Sequence, residues 1–215
     1  MASDQRWQDA QNVEKSHQYH SDIRSEEAAK SFVENLNIEY EELKGKNIIA
    51  VGSGSGRIHN MSAGNKRVGI DPLTNDIFDK NTQSDAELLT GVGEQMPIYT
   101  DTFDIALSVN VLDHCKDPKQ VLSEINRILT PNGKLLFNIN TFGTPKFINK
   151  YLGIVDPPHP HHFTQQQIRQ MIIDSGFEID YLNVRKPNLD QANIKLAMAT
   201  KGLKMRKLNL VAIAE

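Results

Sequence analysis

The sequence has one cysteine, Cys115, in 215 residues. A lone thiol excludes an internal disulfide and fits a reducing compartment, so a cytoplasmic location is expected. It also lacks an excess of either charge. Lys and Arg total 24 against 27 Asp and Glu, a formal net charge of −3. That balance gives no overall pull toward nucleic acid or anionic membrane. There is no uninterrupted apolar run long enough to span a bilayer. The first residues, MASDQRWQDAQ, have no apolar signal-peptide core. Internal repeats and low-complexity tracts are absent too. What is present is a 39% hydrophobic chain, long enough for one α/β domain with a sizeable core.

Apolar runs and turn residues alternate along the chain. Residues 1–24 are polar, anchored only by Trp7, Val13, Tyr19 and Ile23, and read as an arm or lid helix. A single domain over 25–215 follows. A helix is expected from Ser25, with Ala29, Phe32, Val33 and Leu36 on one face. Strands are expected at Asn47–Val51, Arg67–Asp71, Leu88–Thr90, Asp104–Val109, Lys134–Ile139, Phe177–Val184 and Lys207–Ala214. A short helix is expected through Arg57–Ser62. Another is capped by Asp117 with Pro118 at its first position. A third opens on the capping box Thr164-x-x-Gln167. Strands alternating with helices indicate a doubly wound, Rossmann-like, mostly parallel seven-stranded sheet with helices on both faces.

The segment IIAVGSGSGR (48–57) runs an apolar strand into Gly52, Gly54 and Gly56. Glycine serves where the backbone turns sharply or approaches something closely. A helix start beyond such a loop offers unpaired N–H groups. Ligands of open α/β sheets sit beyond the carboxyl ends of the strands. Asp71 ends the next strand, where a carboxylate can accept hydrogen bonds from both hydroxyls of a ribose. The dinucleotide fingerprint needs G-x-G-x-x-G, and Arg57 stands where its third glycine would be. The pattern here is G-x-G-x-G.

Four blocks in order, IIAVGSGSGR (48–57), VGIDP (68–72), GEQMPIYTDTFDIALSVNVLDH (93–114) and DPKQVLSEINRILTPNGKLLFNI (117–139), resemble class I S-adenosylmethionine-dependent methyltransferases. HPHHFT (159–164) before a helix ending in SGF (175–177) resembles the tail of that family. The resemblance implies S-adenosylmethionine as cofactor. It implies cofactor contacts at Gly52, Ser53, Gly54, Gly56, Asp71, Pro72, Gly93, Glu94 and Asn110. Two positions depart from the family pattern. Ala50 stands where an acid usually faces the methionyl amine, and Val92 where an aspartate often contacts the adenine amine.

A sulfonium donor is already activated, so alignment is the protein's main task. A base is needed only when the acceptor must lose a proton. His114 and His161 are the candidate bases. No metal is expected, because H-P-H-H is not a standard zinc spacing and His17 and His20 bring no Cys or carboxylate cluster. Asp156–His159 resembles a nucleic-acid methyltransferase motif but follows the wrong strand, and nucleic acid is not the expected partner. The basic residues Lys195, Lys201, Lys204, Arg206 and Lys207 read as a solvated hairpin or as a contact for an anionic acceptor. Trp7–Glu14 resembles N-terminal segments of methyltransferases of surface-polysaccharide synthesis, which implies a small-molecule or glycan acceptor. Two alternatives stand beside this reading: a non-catalytic binding module of the same fold, and a nicotinamide-dependent oxidoreductase. The sequence is silent on oligomeric state.

Overall fold

Two faces of one sheet carry the core. The computed structural model describes residues 3–16, 26–54, 58, 61–77, 85–143, 159–186 and 204–215. Its elements run α1 (Asp4–Ser16), α2 (Glu26–Glu34), β1 (Asn47–Val51), β2 (Lys66–Asp71), α3 (Thr74–Ile77), β3 (Glu87–Thr90), β4 (Phe103–Val109), α4 (Pro118–Ile128), β5 (Leu129–Thr141), α5 (Gln165–Asp174), β6 (Phe177–Arg185) and β7 (Arg206–Ala214). The seven strands form a single sheet in the order β3-β2-β1-β4-β5-β7-β6. The first five are parallel and β7 is antiparallel to both its neighbours. This is the expected doubly wound architecture. The end of the order differs from the 3-2-1-4-5-6 dinucleotide arrangement, because β7 inserts between β5 and β6.

Strand alternation sorts side chains onto the two faces. Ile48 and Ala50 pack with Ala29, Phe32 and Val33 of α2. Ile49 and Val51 pack with Val121, Leu122 and Ile125 of α4 and with Ile168 and Ile172 of α5. Central strands buried on both faces read as continuous apolar runs for this reason. In α4, Val121, Leu122, Ile125 and Ile128 are fully buried. Burying each such side chain stabilises by about 1.5–3 kcal/mol before the entropy cost of ordering it. Asp117 caps this helix as expected, its Oδ1 accepting from the amides of Lys119 (3.2 Å) and Gln120 (3.3 Å). The capping box of α5 is also present, with Thr164 and Gln167 bonded reciprocally.

One polar pair lies deep in the sheet. Asn138 and Asn209 face each other across β5 and β7. The Asn138 amide donates to Asn209 Oδ1 at 2.5 Å and to the Leu208 carbonyl at 3.3 Å.

Several boundaries differ from expectation. Met61 and Ser62 are not helical, and Ile58 lies in a 3-10 turn. Leu36 is buried but lies past the end of α2. β5 starts at Leu129 and carries Pro131-Asn132-Gly133 within it, with Asn132 at φ +65°. The PNG signal therefore bends a strand instead of separating a helix from one. The antiparallel β7 was not readable from residue pattern, because a buried strand looks the same in either direction. Ser25, His17, His20, Gly56, Arg57, Asp156, Lys195 and Lys201 lie outside the described residues. No helix among the described residues is long and apolar enough to cross a membrane.

Candidate functional site

The chain reverses its direction of winding between β1 and β4, and a cavity of about 440 Å³ opens at the carboxyl ends of β1, β2 and β4. Such a switch point is where open α/β sheets bind ligands, and the volume suits a small-molecule site. One end is built by the glycine loop and Asp71. The amides of Gly52 and Ser53 both donate to the Ile70 carbonyl, at 2.9 and 3.1 Å. Gly52 has φ +69° and Gly54 φ +49°. A Cβ on Gly52 would stand 2.5 Å from Cγ2 of Val111. Gly52 is therefore needed for a left-handed turn and for the close approach of Val111.

Asp71 is a hub. Its Oδ2 accepts from the Gly54 amide at 2.9 Å and its Oδ1 from the Leu73 amide at 2.8 Å. Each oxygen keeps further acceptor capacity. Burial raises the Asp71 pKa above the ordinary carboxylate value, and the two amides and His114 oppose that rise. Gly52, Ser53, Gly54, Asp71, Pro72, Gly93, Glu94 and Asn110 all line the cavity, and so do Ala50 and Val92. The two positions that depart from the family pattern thus present apolar side chains to the same space.

Glu94 has a structural task as well. Its Oε1 accepts from the amides of Lys116 (2.8 Å) and Asp117 (3.1 Å), fastening its loop to the start of α4. Glu124 and Arg127 fasten the same loop lower down. Arg127 donates to the carbonyls of Ile98 and Met96 while Glu124 accepts from the Met96 amide. The paired guanidinium holds the Glu124 carboxyl below its ordinary range.

The other end of the cavity is polar. Asn110, at φ +56°, accepts through Oδ1 from Asn140 (3.0 Å), and its Nδ2 lies 3.5 Å from Nε2 of His114. His114 lines the cavity, with Nδ1 3.7 Å from Oε1 of Glu14 and Nε2 3.9 Å from Oδ1 of Asp113. His159 lines it too, its ring centroid 4.5 Å from that of His114. His161 does not line the cavity. Its Nε2 is held 3.0 Å from the Cys115 carbonyl, and burial lowers its pKa. Cys115 lines the wall with its thiol pushed well up by burial. Of the two expected bases, the structure brings only His114 to the site.

Sequence reasoning singled out the Trp7–Glu14 element but did not place Gln11 and Glu14 at the site. Trp7, Gln11 and Glu14 of α1 line the cavity. Helix α1 is held by Arg6, which donates to the His159 carbonyl at 3.1 Å, and by an Asp4–Lys116 ion pair. Only the long separation in sequence hid these contacts. His159 was in view as part of HPHH, but nothing local linked it to Asp113. Lys207 of the basic segment also lines the cavity.

The sheet order and the cavity at its switch point define a doubly wound, Rossmann-like α/β architecture. Residues 49–137 match the family model described as a methyltransferase domain. The match supports an enzyme with S-adenosylmethionine as its cofactor. A search of curated protein sequences finds no match. Among solved structures, the chain is similar to YcgJ from Bacillus subtilis, with 14% identity, 86% of this chain and 98% of that one covered, and a TM-score of 0.65. It is similar to an S-adenosylmethionine-dependent methyltransferase from Mesorhizobium loti, with 16% identity, 80% and 92% coverage and a TM-score of 0.55. It is also similar to the [4+2]-cyclase SpnF, with 14% identity, 88% and 81% coverage and a TM-score of 0.59. At these identities the likeness establishes the fold.

Proposed function

We propose that this chain moves the methyl group of S-adenosylmethionine to a hydroxyl of a small-molecule or glycan acceptor by in-line displacement. One observation carries the reading. A single cavity joins the glycine loop and Asp71 at one end to His114 and His159 at the other, under α1. The residues present fit the cofactor. Asp71 has acceptor capacity left for two ribose hydroxyls, and Val92 and Leu73 offer apolar walls for a base. Bound there, the cofactor supplies a positively charged sulfonium whose methyl carbon is open to attack. With Ala50 apolar, Glu14 is the carboxylate that α1 adds to the cavity to offset positive charge.

The chain's own work is alignment and charge control. Positioning contributes about 7–11 kcal/mol in well-oriented reactions. His114 lines the acceptor end of the cavity, where the proton of an acceptor hydroxyl would leave. Trp7 offers a flat face for a sugar ring. The SpnF likeness shows that this fold also serves other chemistry, so binding alone does not test the reading.

The test is methyl transfer. The chain is incubated with methyl-labelled donor and cell extract, and the labelled fraction is isolated. Label in polysaccharide or small molecules supports the proposal. Label in protein or RNA removes this acceptor class. Failure to bind S-adenosylmethionine or S-adenosylhomocysteine at millimolar concentration removes the donor and leaves a non-catalytic binding module.

A further inference from the structure

We propose that Asp113, His114 and His159 hold a divalent cation in the wall of the cavity, where it would take the hydroxyl of the acceptor. The three side chains offer ligand atoms that all lie within 4.8 Å of one another. Two donors each about 2.0–2.2 Å from a shared ion stand roughly 3–4.4 Å apart, depending on the angle between them. Asp113 Oδ1 is 3.9 Å from Nε2 of His114, and Oδ2 is 3.9 Å from Nε2 of His159. Those gaps are too long for hydrogen bonds. They fall within the span that two ligands of one ion can have.

Burial supplies the second argument. Asp113 is 4% exposed, and its Oδ1 has no hydrogen-bond partner. An uncompensated buried carboxylate is costly, and buried charges are usually paired or coordinate a metal. His114 Nδ1 is also buried without a hydrogen bond. Behind it stands Glu14 Oε1 at 3.7 Å. A carboxylate behind an imidazole is how metal-ligating histidines are commonly oriented. The backbone enforces the cluster: the His161 amide donates to the Asp113 carbonyl at 3.2 Å, which lays the 159–161 segment beside residue 113.

Two histidines and one carboxylate suit first-row divalent ions and leave positions open. His114 and His159 line the cavity, so the open positions face the acceptor end. There an ion lowers the pKa of a hydroxyl. In this arrangement His114 serves as a ligand and no side chain need act as the base. The hydroxyl proton goes to water, the carbon–oxygen bond forms as the carbon–sulfur bond breaks, and a neutral thioether leaves. The acceptor role rests on the methyl-transfer reading. The metal site does not.

The test uses the full chain, stripped with chelator and titrated with Co²⁺ alone. Expected are one equivalent bound, a visible absorption band, and at least a 100-fold loss of affinity in His159→Ala and Asp113→Asn. His162→Ala binds as the parent does. Thermal melts confirm that each variant is folded. In the unaltered chain, Mn²⁺ broadens the imidazole signals of His114 and His159 before those of other histidines. No saturable Co²⁺ binding up to millimolar concentration overturns the proposal. So does binding that His159→Ala leaves intact, or broadening confined to other histidines. S-adenosylhomocysteine binding, measured separately without metal, reports on the donor reading and is independent of this result.

Discussion

At Gly52, two constraints meet in one residue. Its φ of +69° disfavours any side chain, and Val111 fills the place of a Cβ. Gly52→Ala should destabilise the chain by about 2–5 kcal/mol, combining left-handed strain with overpacking. Urea unfolding measures this. Adding Val111→Ala should restore the steric share and leave the backbone share. Asp71 carries a different prediction. Its raised pKa means that the folded chain holds this proton more tightly than the unfolded chain. Ionisation of Asp71 therefore lowers stability as pH rises from the ordinary carboxylate value through the folded one. Donor binding runs the other way, because the carboxylate is the better acceptor for ribose hydroxyls. Affinity for S-adenosylhomocysteine should fall as pH drops through the raised value, starting at a higher pH than an ordinary carboxylate would give. Asp71→Ala should weaken binding at neutral pH by about 100-fold or more, from the loss of hydrogen bonds worth roughly 1.5–3 kcal/mol each. Calorimetric titration across pH checks both, with Asp71→Asn expected to flatten the pH dependence. Asp71 was legible in the sequence because a strand end fixes where its side chain goes. Gly52 was legible as a turn but not as the neighbour of Val111, which depends on how β1 and β4 pack.

Elements differ in how firmly they are held. The strands β1 and β4 are buried on both faces, whereas α1 buries only Ala10 and Gln11 among its described side chains. Its other ties are polar: Asp4 to Lys116, Arg6 to the His159 carbonyl, and Glu14 near His114. Amides of α1 should exchange with deuterium at least about 100-fold faster than those of β1 and β4. Bound S-adenosylhomocysteine should slow α1 selectively, because Trp7, Gln11 and Glu14 line the cavity. Peptide-resolved exchange with and without ligand checks this. The same contrast explains what could be read beforehand. Caps and apolar periodicity located α4 and α5 because those signals are local. The contacts of α1 with the cavity and the nearness of His159 to Asp113 are decided by segments far apart in the chain, and no spacing rule reaches that far.

For the molecule as a whole, the cavity couples ligand to stability. It draws walls from β1, β2, β4, α1 and the 92–94 turn, so a bound ligand ties these parts together. S-adenosylhomocysteine at 100 times its Kd should add about 2.7 kcal/mol. For a chain of this size each kcal/mol moves Tm by about 2–4 °C, giving a rise of about 5–11 °C. Scanning calorimetry measures it, and no shift at saturating ligand would contradict a folded-state site. Sheet class and most strands followed from sequence because alternation of apolar runs and turns is a global pattern. The direction of β7 did not, since it depends on which edge the chain returns to.

The Asn138–Asn209 pair acts on assembly. Both chain neighbours of Asn209 are leucines, and Asn138 sits between Phe137 and Ile139. If the last strand slid along β5 by a single place, Asn209 would turn to the apolar face of Phe137 and Ile139 and lose its partner, at roughly 1–3 kcal/mol. The two asparagines thus work as a key and ward, admitting β7 in one alignment and rejecting its near misses.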